Sequence, residues 1–211
     1  MKTETKLLGA ILLFVIVLIF GAVFFLGKDS ETQNPDVKNI DYSKGQKIGT
    51  DSAKVKLVEF SDFQCPACEV AEPFIKTLRS IDNVQLIYRH FPLPQHPYGR
   101  KAAYLAEAAG EQGKFWEMHD KLFDTQSQWS AMSDTDAESF FLSLARDLGL
   151  DEAKIRLGLT GDKYKVIIDS EIAEGRRLGV TSTPTFFLNG YKLNLQSFAD
   201  LDVVVANELK K

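Results

Sequence analysis

The chain has 211 residues, 45% of them hydrophobic and 26% charged, with a formal net charge of −4. That is an ordinary globular composition without repeats, low-complexity tracts or a basic stripe, and its acidic balance argues against nucleic acid as a partner. Setting aside an apolar N-terminal run and a polar linker leaves about 160 residues, enough for one well-cored domain with an inserted subdomain.

Leu7 to Leu26 is an unbroken run of twenty apolar residues and glycines. At about 1.5 Å per residue it spans roughly 30 Å, the thickness of a bilayer core. Lys2 and Lys6 precede it, so the N-terminus is expected to stay in the cytoplasm and the rest of the chain to lie outside. A cleaved signal peptide is the rival reading. Phe20-Gly21-Ala22 and Phe25-Leu26-Gly27 each put Phe where cleavage wants a small residue, which favours an uncleaved anchor. Residues 1–28 are therefore read as cytoplasmic N-terminus and anchor. Residues 29–50, polar and carrying Pro35, Gly45 and Gly49, are read as a tether. A strand added to the domain edge over Lys47 to Thr50 stays open.

The remaining domain, 51–211, opens with a strand over Val55 to Phe60. Val55, Leu57 and Glu59 share one face, and Val58 and Phe60 the other. Glu59 is thus a carboxylate on an apolar face, where burial raises a pKa. Beneath the second cysteine it is placed to take and return a thiol proton. The competing reading is a strand-end glutamate that reaches solvent.

Cys65-Pro66-Ala67-Cys68 follows, and it holds the chain's only two cysteines. With a helix starting here, Cys65 is the N-cap, where free N–H groups and the helix dipole favour a thiolate. Pro66 takes the first helical position, which needs no N–H. Cys68 lies one turn on. An exposed, activated first sulfur and a covered second one are the layout for thiol–disulfide exchange through a mixed disulfide. Zinc would need two further ligands, and His90, His96 and His119 are scattered, so no metal is expected. A purely structural disulfide over so short a loop would constrain the unfolded chain little.

Glu69 to Ile81 continues the helix, with Pro73 inside it. Asn83 to Phe91 reads as the next strand, with His90 near its end as a packed or hydrogen-bonded residue; a catalytic base is the sharper alternative. Pro92, Pro94 and Pro97 break the chain. Helical patterns then run from about 98 to 178, carried by Ala102, Leu105 and Ala106, then Phe115, Met118 and Leu122, then Phe141, Leu144 and Leu148. His119 is expected to pack or face solvent, and Trp116 and Trp129 to be core. Thr185 to Leu188 is a strand, Asn189-Gly190 a hairpin turn, and Tyr191 to Leu195 the returning strand. Ser197 is read as the cap of a last helix with Phe198, Leu201, Val204, Val205 and Leu209 on its apolar stripe.

Two stretches carry a family resemblance. Val58-Glu59-Phe60-Ser61-Asp62-Phe63-Gln64-Cys65-Pro66-Ala67-Cys68 resembles the active-site segment of the DsbA-like thiol–disulfide oxidoreductases. Thr181-Ser182-Thr183-Pro184-Thr185-Phe186-Phe187-Leu188-Asn189-Gly190 resembles their cis-proline loop. Arg89-His90-Phe91-Pro92-Leu93 also fits, and the likeness runs from about residue 45 to the C-terminus. It implies an α/β thioredoxin fold with an all-helical insertion, before which the apolar run read above places one transmembrane helix. It implies an acid at Glu59, a kinked active-site helix, and a cis Thr183–Pro184 bond that positions a peptide beside Cys65. The redox-active disulfide Cys65–Cys68 would serve with no dissociable cofactor. Expected partners are reduced or unfolded exported proteins and a membrane quinone-linked or thiol-based redox partner; the soluble domain is expected to be monomeric. The expected activity is disulfide formation or exchange outside the cytoplasm, in the oxidising direction. A reductase or isomerase of the same fold is the alternative. A holdase or metallochaperone is the non-enzymatic one, and the reactive placement of Cys65 argues against it.

Overall fold

The computed structural model describes residues 38–160 and 162–211. The expected membrane span, Leu7 to Leu26, lies outside them. Among the described residues no helix is long and apolar enough to cross a membrane.

The strands are β1 (Gln46–Ile48), β2 (Val55–Ser61), β3 (Val84–His90), β4 (Thr185–Leu188) and β5 (Tyr191–Lys192), in the sheet order β1-β3-β2-β4-β5. Strand β2 is central. It runs parallel to β3, Glu59 opposite Tyr88, and antiparallel to β4, Glu59 opposite Phe186. Parallel neighbours need a crossover, and α1 (Pro66–Leu78) supplies it. A central strand covered on both faces reads as an almost continuous apolar run, and all of β2 except Lys56 is buried. Val55 and Leu57 join one core cluster with Ile75, Leu78, Leu86 and Leu201. Val58 and Phe60 join the other, with Ile87, Phe187 and the helical insertion. The alternation expected for β2 is the one observed.

The insertion comprises α2 (Gly99–Gly110), α3 (Phe115–Asp124), α4 (Gln126–Trp129), α5 (Asp134–Asp147), α6 (Glu152–Thr160) and α7 (Lys163–Arg177). It spans nearly the expected range. Trp129 is fully buried and packs edge-on against Phe141. Gly175 of α7 has no room for a side chain, because a Cβ there would sit 2.7 Å from the Phe91 ring.

Three boundaries differ from the sequence reading. Residues 38–50 are not a free tether. Strand β1 pairs antiparallel with β3, and Ile40 is buried. Arg89, fully buried, donates to the Asp41 carbonyl, and Asp41 N donates to Glu174 Oε1 at 2.9 Å. The segment looks polar because its backbone, more than its side chains, makes these attachments. The returning strand ends at Lys192 instead of Leu195. Its turn is as expected, with Asn189 and Gly190 both at positive φ, 47° and 87°. The last helix, α8 (Asp200–Lys210), starts three residues after Ser197. Asp200 Oδ2 accepts from Ser197 N at 2.9 Å, so the acid at the helix start turns the chain and the serine does not cap it.

Candidate active site

Cys65 ends the loop after β2 and is the N-cap of α1, with φ −80° and ψ 120° and Pro66 next to it. Its carbonyl accepts from Cys68 N at 3.0 Å and Glu69 N at 3.2 Å, closing the first turn. Pro73 lies inside α1 and has no N–H for the Glu69 carbonyl. Both cysteines are free thiols.

The first sulfur is less exposed than expected. Cys65 is 6% accessible and Cys68 not at all. Cys65 Sγ donates to the Thr183 carbonyl at 3.4 Å, and the Thr183–Pro184 bond is cis. Cys65 is held well below an ordinary thiol, at about 5. The hydrogen bond from the Cys68 thiol contributes most; burial opposes it, and the Thr183 side chain and the N–H groups of Cys68 and Ala67 add to it. The sequence pointed to the helix N-terminus as the cause. The structure puts the second thiol first and the helix N–H groups after it. Ala67 contributes through its backbone. At pH 7 a thiol titrating near 5 is almost wholly thiolate, against about 3% for one at 8.5, a gain of about 30-fold in reactive form. Cys68→Ala is accordingly expected to raise the Cys65 pKa, and Cys68→Ser, which keeps a donor, to raise it less. Alkylation rate against pH measures both; equal profiles for parent and alanine variant would return the effect to the helix terminus.

Cys68 is pushed far up, by burial first and then by Cys65 and Glu59. Glu59 is fully buried, and neither of its oxygens has a hydrogen-bond partner. Burial raises it to about 7, against the pull of Ser61 and Arg79. A carboxyl that titrates near neutrality beside a buried thiol is suited to exchanging its proton. The solvent-reaching reading of Glu59 is thereby excluded. Beside the cis bond lies a cleft of about 310 Å³ lined by Ser182, Pro184, Phe186, Leu193 and Phe198.

Several residues that hold the site gave no signal in the sequence. Gln126, at the start of α4, is buried, and its Nε2 donates to the carbonyls of Phe63 at 2.7 Å and Cys65 at 3.0 Å. Asp62 is buried and its carboxylate accepts from Gln64 N at 2.9 Å and Leu93 N at 2.8 Å, with His96 Nδ1 at 2.6 Å. The insertion and the proline-rich loop thus grip the main chain on the N-terminal side of Cys65.

His90 is buried, with Nε2 2.9 Å from Glu107 Oε1 and its backbone N–H on Glu171. Burial pushes it down, but Glu107, with Glu171 and Asp62, raises it overall. That is the hydrogen-bonded structural histidine. His119 is fully buried beside Glu72 and Asp120. These three are the one group among the described residues whose donor atoms lie close enough together, within 4.8 Å of one another, to hold a metal ion. A cation already sits there: Arg79 Nη2 lies 3.0 Å from His119 Nδ1 and 3.1 Å from Glu72 Oε2. Trp116 is partly buried, donates to the Lys47 carbonyl at 3.1 Å, and lies under that guanidinium.

A family model described as Thioredoxin matches residues 42–207. Over 153 residues, 72% of this chain, the sequence is 38% identical to a Na(+)/H(+) antiporter NhaA 1 of Salinispora arenicola, where the match covers 22% of the protein. A Na(+)/H(+) antiporter NhaA 1 of Mycolicibacterium vanbaalenii is 31% identical over 90% of this chain and 31% of its own length. The chain therefore spans less than a third of these curated relatives. Among solved structures, oxidised BdbD from Bacillus subtilis superposes with a TM-score of 0.71 at 22% identity, over 83% of this chain and 98% of that one. A thioredoxin-like oxidoreductase from Silicibacter pomeroyi gives 0.64 at 28% identity, over 79% and 92%. The thiol-disulfide exchange protein α-DsbA2 from Wolbachia pipientis gives 0.65 at 22%, over 79% and 88%. With a low-pKa Cys65, a buried Cys68 and a cis-proline loop set on this sheet, the chain belongs to the thioredoxin family and has the fold of its DsbA-like thiol–disulfide oxidoreductases.

Proposed function

We propose that this chain is a thiol–disulfide oxidoreductase that forms disulfides in exported proteins. The observation that carries this reading is the division of labour in one thiol pair. Cys65 is held as a thiolate at about 5 while Cys68 stays protonated. In the oxidising direction a substrate thiolate attacks Cys65 of the Cys65–Cys68 disulfide. That bond breaks, and Cys68 leaves and takes a proton from Glu59. A second substrate thiolate then attacks the substrate sulfur of the mixed disulfide, and Cys65 leaves as a stabilised thiolate. The substrate gains a disulfide and the protein gains two electrons. In reverse, Cys65 attacks and Cys68 resolves. The Thr183–Pro184 loop positions the peptide.

No dissociable cofactor is needed, because the electron pair resides in the two sulfurs. A membrane quinone-linked or thiol partner would reoxidise them. The apolar run from Leu7 to Leu26 would hold the domain at the outer face of a membrane, as a monomer. The roles of the Silicibacter and Wolbachia proteins, oxidoreductase and thiol-disulfide exchange, support the exchange chemistry. Ion transport is not carried over from the antiporters, since the chain matches so small a part of them.

Direction follows from thiolate stabilisation, because a more stable reduced form makes a stronger oxidant. Purified protein is expected to oxidise a reduced dithiol peptide, with a potential against glutathione above about −270 mV, the value for a cytosolic reductase. A potential at or below that value assigns a reductase instead. No exchange at all would leave the binding-module reading.

A further inference from the structure

The loop after β3 carries Pro92, Pro94 and Pro97 and is tied to the active-site loop through Asp62. Between it and α7 lies a second cleft, of about 380 Å³, that the exchange chemistry does not use. Pro92, Leu93, Pro97 and Ile172 give it apolar walls, and His96 and Arg176 reach it with polar groups. We propose that this cleft is a substrate subsite, which takes an acidic side chain with an apolar neighbour from the polypeptide whose cysteine reacts at Cys65. The proposal rests on the dithiol reading of Cys65 and Cys68 and adds a substrate class to it.

The cleft is built in advance. Gly99, at the start of α2, has no room for a side chain, because a Cβ there would sit 2.6 Å from Asp62 Oδ1 and 3.2 Å from Pro92 Cβ. Gly175 of α7 closes on the Phe91 ring in the same way. Both helices therefore pack directly on the loop. Asp62, buried beneath it, holds Leu93 N at 2.8 Å and His96 Nδ1 at 2.6 Å. A preformed hollow of this size, mostly apolar with a few fixed polar groups, is the usual form of a ligand site.

The polar groups select the ligand. A carboxylate only accepts, so the proton shared with Asp62 lies on His96 Nδ1 and leaves Nε2 as an acceptor. That nitrogen has no partner among the described residues, and His96 keeps 17% of its side chain exposed, open to a peptide N–H. Arg100, also at the cleft, is paired with Asp169 at 2.7 Å. Glu171 and Glu174 of α7 are buried and engaged with Arg89 and His90. Arg176 is exposed, and its guanidinium has no hydrogen bond or ion pair among the described residues. The cleft thus holds one uncompensated cation in a chain of net charge −4. A guanidinium takes a carboxylate through two parallel N–H bonds. The prolines, Leu93 and Ile172 offer apolar contact to the neighbouring residue.

One peptide reaches both places. Cys65 N donates to the Asp62 carbonyl at 3.0 Å, a turn that keeps the two Cα atoms within about 7 Å. Adding the Asp62 side chain, its bond to His96 and the imidazole brings the path to at most roughly 15 Å, three to five residues of extended chain.

The test compares oxidation of two dithiol peptides by the disulfide form of the protein. One carries glutamates beside leucine at the third to fifth residues on either side of its cysteines, and the other carries glutamines in their place. The parent is expected to favour the glutamate peptide by about 5-fold in kcat/KM, the upper end for a partly exposed ion pair. Arg176→Gln is expected to remove the preference and Arg176→Glu to reverse it. Neither change removes a contact within the described domain, so both variants are expected to fold. A preference that survives Arg176→Glu overturns the subsite. A cysteine-free glutamate peptide should also shift the side-chain NMR signals of His96 and Arg176. Equal shifts with acetate at the same concentration would make the cleft a small-anion site and overturn the proposal. A parent that oxidises neither peptide removes the function and the subsite together, whereas an active parent with no preference removes the subsite alone.

Discussion

Cys68→Ala is expected to stop exchange halfway and leave the protein covalently bound to its substrate. Cys65 keeps a partly stabilised thiolate in that variant, because the Thr183 side chain and the N–H groups of Ala67 and residue 68 remain. It still attacks a disulfide. No second thiol then stands one turn along α1 to displace the substrate sulfur, and no other cysteine exists in the chain. Intact-mass measurement should show one substrate per protein, and catalytic turnover should fall to the rate of small-thiol exchange in the buffer. Cys65→Ser should give no adduct and the same background turnover. The burial difference supports this asymmetry: Cys65 keeps 6% of its surface at the Thr183 loop, and Cys68 has none. Adducts forming on Cys68 in the serine variant would reverse the assigned roles.

Glu59→Gln is expected to make the protein more stable at pH 8 than at pH 5 relative to the parent. The folded carboxyl titrates near 7 against 4.5 when free, so the folded state holds a proton over that window that the unfolded state has lost. Stability falls with rising pH wherever the folded state binds more protons. The parent should therefore lose about 3 kcal/mol between pH 4.5 and pH 7 on account of Glu59, at 1.36 kcal/mol per unit. Gln carries no such proton and loses nothing there. Its buried amide, as unpartnered as the acid, costs the same at every pH and does not alter the slope. Urea midpoints of both proteins at pH 5 and pH 8 give the comparison. A pH-independent difference would mean that Glu59 is not the buried acid that titrates. The same variant should also slow release of the mixed disulfide, since its amide takes no proton.

Some of this molecule is settled by local preference and is therefore legible in the chain alone. Pro66 fits a first helical position because it has no N–H to satisfy, so the helix start at Cys65 follows from two adjacent residues. Asn189-Gly190 tolerates two positive φ angles in succession, so the β4–β5 turn is readable without knowing what surrounds it. Alternation in β2 puts Glu59 on the side of Val55 and Leu57, since successive residues of a strand face opposite ways.

The family resemblance placed the Thr183–Pro184 loop beside Cys65, but the contacts between distant stretches were decided by the tertiary structure. The Thr183 carbonyl meets Cys65 across 118 residues, and the grip of Gln126 on the carbonyls of Phe63 and Cys65 crosses 63 and 61. No short-range pattern encodes such meetings. The edge strand left open over Lys47 to Thr50 is β1, over Gln46–Ile48; its sequence could not choose between strand and tether, because three residues of mixed character become a strand only when β3 offers its edge. The depth of Cys65 and the leading part of Cys68 in its acidity depend on how closely β4 and the insertion close over α1. His119 and Arg79 read as unrelated residues until α1 and α3 bring them within 3.0 Å, because contacts of that kind are made by packing and not by spacing along the chain.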